Sequence, residues 1–485
     1  MSFTTQPVRK GVGFGMVKIT IIGAGSIVFC ATFLNDIFCV KELDGCEIAL
    51  MDPDIGKVTK VKNYADKIIN ANNLKVKVYA TADRREALKD AKYVICTFQI
   101  GGIDAFACDY EIPMKFGVDQ CIADSIGPGG IFRLLRSTPL IDELNKEIAE
   151  LCPGAYMLNY VNPMGALCTY LARYTKLNFV GLCHGVQTTM DLISGYVDVP
   201  KDQIDFIAAG INHMAWFLKL EHAGRDLYLI LKENFEKPEY YVNEKVRGEV
   251  LRQCGYFMTE STGHLSEYLP WFRKNKRSLD LYCDMPDFGG ETGAAYYFSK
   301  NIAAKYLNED VFELESGKLD PRSKEYCSYI LEAIETGVPF QFNGNVSNKE
   351  LFISNLPTDA CVEVPVYADK LGIHPVSVGN LPMHLAAMNQ SNITVQSLAA
   401  EAARNADPEM VFWAIAMDPL TSAVLDLDQI RNMTIEMFEA ENKWLPHFKG
   451  KTLKKTPMIH IPDDVKPADV PVDPALAINA RFGKL

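Results

Sequence analysis

The chain reads Lys18-Ile19-Thr20-Ile21-Ile22-Gly23-Ala24-Gly25-Ser26 near its start, and this stretch decides the fold. An apolar run that breaks into a glycine turn is typical of the first strand and turn of a dinucleotide-binding βαβ unit. Glycines let backbone N–H groups approach a pyrophosphate at the start of the following helix. A second apolar run, 48–51, leads into Asp52, whose carboxylate can accept hydrogen bonds from a ribose diol. The predicted cofactor-binding residues of this unit are Gly23, Gly25, Ser26 and Asp52.

Asp52 also indicates which dinucleotide binds. Pro53 and Asp54 follow it, without the arginine that would accommodate a 2′-phosphate, so NAD is favoured over NADP. Val28 stands where the full fingerprint has Gly or Ala, and Asp52 comes later than the usual spacing of about 20 residues. An ordinary tight turn between a strand and a helix is therefore the alternative interpretation.

Length and composition exclude several classes of protein. A chain of 485 residues predicts two closely packed domains rather than one small core. A net charge of −12 without a basic cluster argues against a nucleic-acid partner. No run approaches the ~20 apolar residues that cross a bilayer, which argues against a membrane protein. Thirteen irregularly spaced cysteines indicate reduced thiols in the cytoplasm rather than a disulfide framework.

The first 200 residues alternate predicted strands and helices, which is typical of an α/β fold. Such alternation predicts a Rossmann-like, doubly wound parallel sheet covered on both faces. The second part mixes helices with short strands and is expected to form a mixed α+β substrate domain, as in lactate and malate dehydrogenases. Predicted strands occupy 17–22, 47–51, 75–80, 93–98, 155–160 and 177–182, and predicted helices include 26–40, 54–71, 83–90, 136–150, 395–416 and 426–440. The predicted organisation is an N-terminal extension (1–15), an NAD-binding domain (16–200), a substrate, metal and oligomerisation domain (201–455) and an irregular tail (456–485).

Polar residues directly after the predicted strands are the candidate ligand contacts, because ligands bind beyond the carboxyl ends of parallel strands. Gln99 follows one such strand, and Asn159 to Pro163 follow another. The asparagine amides can contact a nicotinamide ribose or a sugar hydroxyl, although an Asx turn before proline is the structural alternative. We predict cofactor contacts from Gln99 and Asn162 and a substrate contact from Asn159.

Cys183 and His213 each end an apolar stretch and can bind a divalent transition metal with positions left open for substrate hydroxyls. Their spacing matches no structural zinc pattern, so a buried cysteine and a hydrogen-bonded core histidine are the alternative. Asp124 opens the glycine-rich segment 124–130, which we expect to form a rigid loop before a helix containing Arg133. Tyr268 lies in an aromatic stretch and can act as a base if a neighbouring cation lowers its pKa, although such clusters are usually core.

Five longer motifs resemble glycoside hydrolase family 4, the NAD- and manganese-dependent glycosidases, over nearly the whole chain. They are Ala123-Asp124-Ser125-Ile126-Gly127-Pro128-Gly129-Gly130, Leu158-Asn159-Tyr160-Val161-Asn162-Pro163-Met164, Gly181-Leu182-Cys183-His184-Gly185-Val186-Gln187, Ala209-Gly210-Ile211-Asn212-His213-Met214-Ala215 and Gly255-Tyr256-Phe257-Met258-Thr259-Glu260-Ser261. Within the family, the chain is most similar to bacterial α-galactosidases that act on melibiose. Phosphosugar-specific members have Asp or Asn after the metal-binding cysteine, whereas this chain has His184. The resemblance therefore implies an unphosphorylated α-galactoside as substrate.

The resemblance also implies a mechanism, one that departs from the two-carboxylate scheme of most glycosidases. NAD oxidises C3 of the sugar, the C2 proton becomes acidic and is removed, and the aglycone is eliminated from C1. Water then adds and the hydride returns to C3, so there is no net redox change. Cys183 and His213 match the family's manganese ligands, and Tyr268 matches its catalytic base, with Glu267 and Glu260 as competing candidates. His184 occupies the position of the general acid, for which Asp124 is the competing candidate, and Arg133 is expected to contact substrate.

Several alternatives stay open at the level of sequence. An α-glucosidase or α-glucuronidase of the same family would carry the same motifs. A plain NAD-dependent hydroxyacid dehydrogenase has a related fold, but it needs a His–Asp pair that is not evident here. A non-catalytic sugar or NAD sensor would tolerate the loss of Cys183. The resemblance further implies a homodimer or homotetramer.

Overall fold

The computed structural model of the chain describes residues 16–25, 27–308 and 317–471, with residues 473–475, 478, 482 and 483 beyond them. The predicted N-terminal extension and Ser26 lie outside the described residues. Within the described residues the strands are β1 (Lys18–Ile22), β2 (Glu47–Met51), β3 (Lys77–Thr81), β4 (Tyr93–Cys96), β5 (Tyr156–Asn159), β6 (Asn178–Gly181), β7 (Asp205–Ile211), β8 (Met214–His222), β9 (Arg225–Asp226), β10 (Phe340–Ser347), β11 (Cys361–Asp369) and β12 (Gly372–Pro375).

The helices of the described residues cover the sheet and build the second half of the chain. They are α1 (Ile27–Phe38), α2 (Ile55–Asn72), α3 (Arg84–Leu88), α4 (Gly102–Lys115), α5 (Gly127–Leu151), α6 (Met164–Tyr174), α7 (Gly185–Val197), α8 (Tyr228–Phe235), α9 (Pro238–Tyr241), α10 (Lys245–Cys254), α11 (Thr262–Tyr268), α12 (Lys276–Tyr282), α13 (Ala294–Asn308), α14 (Tyr326–Thr336), α15 (Met383–Asn405), α16 (Pro408–Ala416), α17 (Pro419–Val424) and α18 (Leu427–Glu441).

All the strands belong to one sheet, in the order β3-β2-β1-β4-β5-β6-β10-β11-β7-β8-β9, with β12 paired to β11. The first six strands pair in parallel and have the 3-2-1-4-5-6 order of dinucleotide-binding sheets. Every residue of β1 is buried, as expected of a strand covered by helices on both faces. The predicted α/β class with an N-terminal doubly wound parallel sheet is confirmed.

The remaining strands extend the parallel sheet with antiparallel pairs. The β10–β11 hairpin lies between β6 and β7, with Asn345 of β10 opposite Gly181 and Glu363 of β11 opposite Gly210. Asn345 and Glu363 are themselves direct partners in the hairpin. Residues opposite each other in a sheet share a face, so these two polar side chains lie on one face, between the strand ends that lead to Cys183 and His213.

Two predicted segments differ from the structure. The loop expected over 124–130 ends earlier, because α5 begins at Gly127 with Pro128 in its first turn, where proline needs no N–H partner. The helix expected over 395–416 belongs to two helices, α15 and α16. Ala406 has a left-handed backbone (φ +47°) between them, and Asp407 and Pro408 start the next helix. An aspartate cap followed by proline is a strong local signal for a new helix start.

Two compact units divide the chain, residues 1–454 and 455–485. Described residues 455–471 contain neither helix nor strand, and the boundary predicted at residue 200 stays a prediction. All thirteen cysteines are free thiols. Among the described helices, none combines the length and apolar character needed to span a membrane.

Candidate active site

A cysteine, a histidine and a glutamate lie together beyond the ends of β6 and β7. Cys183 Sγ is 3.5 Å from Glu260 Oε2, and His213 Nε2 is 3.6 Å from the same oxygen. The three potential ligand atoms lie within 4.8 Å of one another. Sulfur, imidazole nitrogen and carboxylate oxygen form a donor set suited to a divalent transition metal. The structure thus brings the two predicted metal ligands together and adds Glu260 as a third donor; we call these three residues the donor cluster.

His213 owes its position to a tight turn between β7 and β8. Ile211 pairs with Met214, so Asn212 and His213 form a two-residue turn. His213 has a φ of +61°, a conformation that turns normally assign to glycine. Such strain in a non-glycine residue persists where the surroundings impose it, and it is common at functional sites. The strained turn leaves the imidazole buried against Glu260.

Cys183 and Glu260 approach each other because the residue between them in space is a glycine. Gly185 is the first residue of α7, and its N–H points at Cys183 Sγ at 3.5 Å. A Cβ on Gly185 would collide with the Glu260 carboxylate. Glu260 itself has a left-handed backbone, with a φ of +75°. A larger side chain at position 185 would therefore push the carboxylate away from the thiol.

The protonation states of the donor cluster suit a cation. Burial lowers the pKa of His213 to about 4, so its imidazole is neutral at neutral pH. Burial opposes ionisation of Glu260, but the neighbouring imidazoles of His213 and His264 outweigh it and lower the pKa of this carboxyl to about 2. Burial, and then the Glu260 charge, raise the pKa of the Cys183 thiol. A bound metal would have to displace the thiol proton, so metal affinity should increase with pH.

Tyr268 ends helix α11 next to the donor cluster. Its ring centroid lies 6.1 Å from that of His213, and its backbone carbonyl accepts a hydrogen bond from Asn392 Nδ2 at 3.0 Å. Burial, and then the carboxylates of Asp124 and Glu267, raise the pKa of Tyr268 well above its ordinary value. The phenol is therefore protonated in the metal-free protein, and a cation beside it would act in the opposite direction.

Asp124 forms the second polar group of the site. Its carboxylate accepts hydrogen bonds from Ser125 Oγ at 2.6 Å, from Asn162 Nδ2 at 3.1 Å and from the Arg133 guanidinium at 3.3 Å. Burial raises its pKa, but Arg133 and the Ser125 hydroxyl outweigh this effect, and the pKa of Asp124 ends below its usual value. Asp124 is consequently ionised at neutral pH. The structure places Asn162, predicted as a cofactor contact, against this carboxylate.

His184 lies at the rim of the site, with its side chain half exposed (50%). Its Nδ1 is 3.5 Å from Glu325 Oε1. The hydrogen bond with Glu325 raises the pKa of His184, because a carboxylate partner favours the charged imidazole. Of the two acid candidates, His184 is thus the one whose protonated form its surroundings favour.

The glycines at the end of β1 make room for close backbone packing. Gly23 has a φ of +87°, and a Cβ there would lie 2.7 Å from the backbone of Phe98. A Cβ on Gly25 would lie 2.7 Å from Asp52 Oδ2, which accepts a hydrogen bond from the Gly25 N–H at 3.1 Å. The predicted contacts Gly23, Gly25 and Asp52 therefore meet at the carboxyl edge of β1 and β2. This is where a dinucleotide binds in sheets of this order.

Two other predicted residues direct their side-chain amides at nearby atoms of their own segments. Gln99 is exposed beyond β4, and its amide donates to the carbonyl of Gly102 at 3.3 Å. Asn159 is fully buried, and its amide nitrogen lies 3.2 Å from the Val161 carbonyl and 3.3 Å from Met164 Sδ. The predicted contact of Asn159 with substrate stays a prediction, and its buried position does not support it.

Sequence reasoning missed three residues with ionisable side chains around the donor cluster. His264 Nδ1 lies 3.6 Å from Glu260 Oε1, and Glu325 pairs with His184. Glu363, on β11, is 2% exposed, and burial followed by the Glu260 charge raises its pKa to about 8. His264 follows the Thr259-Glu260-Ser261 motif by three residues and could have been found there. Nothing in the sequence around Glu363 points to the site.

Comparison with known proteins identifies the family of the chain. The sequence model described as "Family 4 glycosyl hydrolase" matches residues 18–199, and that of the family's C-terminal domain matches residues 208–421. An alpha-galactosidase of Rhizobium meliloti is 40% identical over 443 residues, 89% of each chain, and an alpha-galactosidase of Bacillus subtilis is 39% identical over 90% of this chain and 100% of its own.

A solved structure shares the fold. It is the 6-phospho-beta glucosidase of Thermotoga maritima with manganese, NAD+ and glucose-6-phosphate, with a TM-score of 0.73 and 20% identity over 88% of this chain and 99% of its own. The family resemblance seen in the sequence motifs is confirmed by the two family matches and by the relatives at about 40% identity. The chain belongs to family 4 of the glycosyl hydrolases.

Proposed function

We propose that the protein hydrolyses unphosphorylated α-galactosides in a reaction that depends on NAD and Mn²⁺. The observation that carries this proposal is the donor cluster of Cys183, His213 and Glu260. It lies on the same sheet whose parallel strands have the order of dinucleotide-binding proteins. The alpha-galactosidases at 40% and 39% identity support the choice of sugar. A hydroxyacid dehydrogenase needs no metal-binding donor set, so the donor cluster favours the glycosidase.

The chain offers separate places for the two cofactors. The Gly23–Gly25 turn and the Asp52 carboxylate would hold NAD, because the glycines let the backbone pack closely at the carboxyl edge of the sheet where Asp52 lies. Cys183, His213 and Glu260 would hold the metal; the His213 imidazole is neutral, and its Nδ1 has no hydrogen-bond partner among the described residues. When bound, the dinucleotide supplies a reversible hydride acceptor and the metal supplies a Lewis acid.

Tyr268 is the proposed base for the C2 proton. It is buried at the end of α11 and lies next to the donor cluster. A cation held by the donor cluster would favour the phenolate form of Tyr268, whose oxygen would then accept the proton in an environment that excludes water, so the proton stays available for later return. Glu267, the competing candidate, has both carboxylate oxygens occupied by hydrogen bonds from the segment 120–123.

His184 is the proposed acid that protonates the leaving oxygen. It is exposed at the rim, where an aglycone can depart, and Glu325 favours its protonated form. Asp124 is held as an anion by Arg133 and by two further hydrogen bonds, which suits it to orienting hydroxyls rather than donating a proton. Arg133 and Asn162 would share this orienting role.

We also propose that the protein acts as a homodimer or homotetramer in the cytoplasm. Thirteen free thiols and an NAD-type sheet support a reducing compartment.

The test is a panel of 4-nitrophenyl α- and β-glycosides assayed with NAD and Mn²⁺, each cofactor omitted in turn. The panel contains the α-galactoside, α-glucoside and α-glucuronide and the corresponding 6-phosphorylated sugars. We expect the α-galactoside to be cleaved fastest and turnover to stop without either cofactor. Hydrolysis of undiminished rate in protein stripped of nucleotide would refute the mechanism, and preference for another sugar would refute the substrate.

A further inference from the structure

Glu267 is a buried carboxylate beside the site, and its hydrogen bonds go to the backbone and side chain of a neighbouring segment. It precedes Tyr268 on α11 and is 2% exposed. Its Oε1 accepts a hydrogen bond from the Ile122 N–H at 2.5 Å, and its Oε2 accepts from the Ala123 N–H at 3.2 Å. The Gln120 amide lies 3.4 Å from Oε2. Both oxygens are therefore engaged by one segment of the chain, 120–123.

The segment that Glu267 binds has an unusual backbone. Ala123 has a φ of +61°, a left-handed conformation that an alanine rarely adopts. Two successive N–H groups directed at one carboxylate make an anion-binding concavity of the kind formed by turns with left-handed residues. The carboxylate thus stabilises a backbone conformation that the alanine side chain disfavours.

Asp124 is the residue directly after this turn. Its carboxylate collects the hydrogen bonds of Ser125, Arg133 and Asn162. Ala123 directly precedes Asp124, and Glu267 directly precedes Tyr268. The hydrogen bond between Glu267 and Ala123 therefore sets the separation of Asp124 and Tyr268. Arg273 provides a second link between the same segments, through the Asp119 carbonyl at 3.0 Å and Ser266 Oγ at 3.2 Å.

We infer that Glu267 is a positioning residue, which holds the Ile122–Ala123 turn against α11 and thereby sets Asp124 at a fixed distance from Tyr268. The inference deepens the proposed function and rests on it for the roles of Tyr268 and Asp124. It assigns Glu267 a structural contact rather than the role of base, since both carboxylate oxygens accept hydrogen bonds from the segment 120–123.

The test compares two substitutions at this position. In Glu267→Gln, the amide nitrogen faces a backbone N–H donor, so one hydrogen bond is replaced by a clash of donors. Glu267→Asp keeps both acceptors but is one methylene shorter. The matched control is Asp407→Asn, since Asp407 is a half-buried carboxylate that accepts from the Glu409 N–H at 3.0 Å at the start of α16.

We expect Glu267→Gln to lower kcat about 100-fold, the effect of a misplacement on the order of 1 Å, with KM changed less than about threefold. Glu267→Asp should recover part of kcat, and Asp407→Asn should retain it, although both amide variants are expected to lose thermal stability. The inference would be overturned if Glu267→Gln had the same kcat as the control variant while the two variants lost the same amount of Tm. It would also be overturned by complete loss of exchange at C2 together with loss of the acidic limb of the pH profile, because that limb reports the deprotonation of a catalytic base.

Hydrogen exchange separates this inference from the function on which it rests. The backbone amides of Ile122 and Ala123 should exchange with solvent faster in Glu267→Gln than in wild type or in Asp407→Asn, whatever the enzyme's substrate. Unchanged exchange at these two amides would overturn the positioning role and leave the glycosidase proposal standing. If wild-type hydrolysis needs no NAD, the proposed function fails, while faster amide exchange would still support the link between Glu267 and the turn.

Discussion

Replacing Glu363 by glutamine should change how the stability of the metal-free protein depends on pH. Glu363 lies on β11 between the strands that lead to Cys183 and His213. It is almost fully buried, and burial together with the Glu260 charge raises its pKa from 4.5 to about 8. Glutamine has the same shape but cannot ionise. The substitution therefore removes one titration and leaves the packing nearly unchanged.

The sign and size of the effect follow from this pKa. Between about pH 4.5 and 8 the carboxyl is ionised in the unfolded chain but still protonated in the folded protein. Unfolding then releases a proton, so the free energy of unfolding falls as pH rises through this window. Each pH unit between the two pKa values is worth about 1.36 kcal/mol, and the whole interval about 5 kcal/mol. Between pH 5.5 and 8, the difference between variant and wild type should grow by about 3 kcal/mol in favour of the variant.

Urea unfolding in the presence of a chelator, at half-unit steps of pH, measures this difference. Glu150→Gln is the control, since Glu150 is exposed and paired with Arg85, which lowers its pKa. It is ionised in both states throughout the window, so its difference from wild type should not vary with pH. Parallel curves for wild type and Glu363→Gln would refute the reasoning, because they would mean that Glu363 ionises normally in the folded protein.

Three further predictions concern the cofactors and the base. Cys183→Ser should weaken Mn²⁺ binding and abolish turnover, since a hydroxyl is a poor substitute for a thiolate ligand. Isothermal titration with Mn²⁺ measures the loss of binding, and unchanged activity would contradict the prediction. Gly25→Ala should weaken NAD binding at least tenfold in a fluorescence titration, because the added Cβ would lie 2.7 Å from Asp52 Oδ2 and displace that carboxylate; an unaltered Kd would place the dinucleotide elsewhere. Tyr268→Phe should abolish exchange of deuterium at C2 of the sugar while Mn²⁺ still binds, and exchange at the wild-type rate would assign the base to another residue.

Local patterns predicted the first half of the fold well. The apolar runs that form β1, β2, β4, β5 and β6 are short and bounded by turn residues, so strand and turn could be recognised within a few positions. The glycine turn after β1 and Asp52 after β2 fall together because parallel neighbouring strands end at one edge. The apolar spacing does not predict the break between α15 and α16, because it continues across Asp407 and Pro408, the residues that cap and begin α16.

The site was only partly predictable, because local patterns identify residues but not the distances between residues that are far apart in the chain. Cys183 and His213 could be named from their motifs, but not the distance between them, which depends on how β6 and β7 are arranged in the sheet. Glu260 was considered as a base, whereas the structure places its carboxylate between the thiol and the imidazole.

The sequence by itself determined the class of fold, the dinucleotide turn, the family and the two ligand candidates, because each depends on residues close together in the chain. Tertiary structure alone decided that the β10–β11 hairpin enters between β6 and β7 and brings Glu363 beside the donor cluster. It also decided that Glu267 binds a turn about 145 residues earlier in the chain. Strand order and buried contacts of this kind depend on packing between distant segments. The local propensities of the residues do not predict that packing.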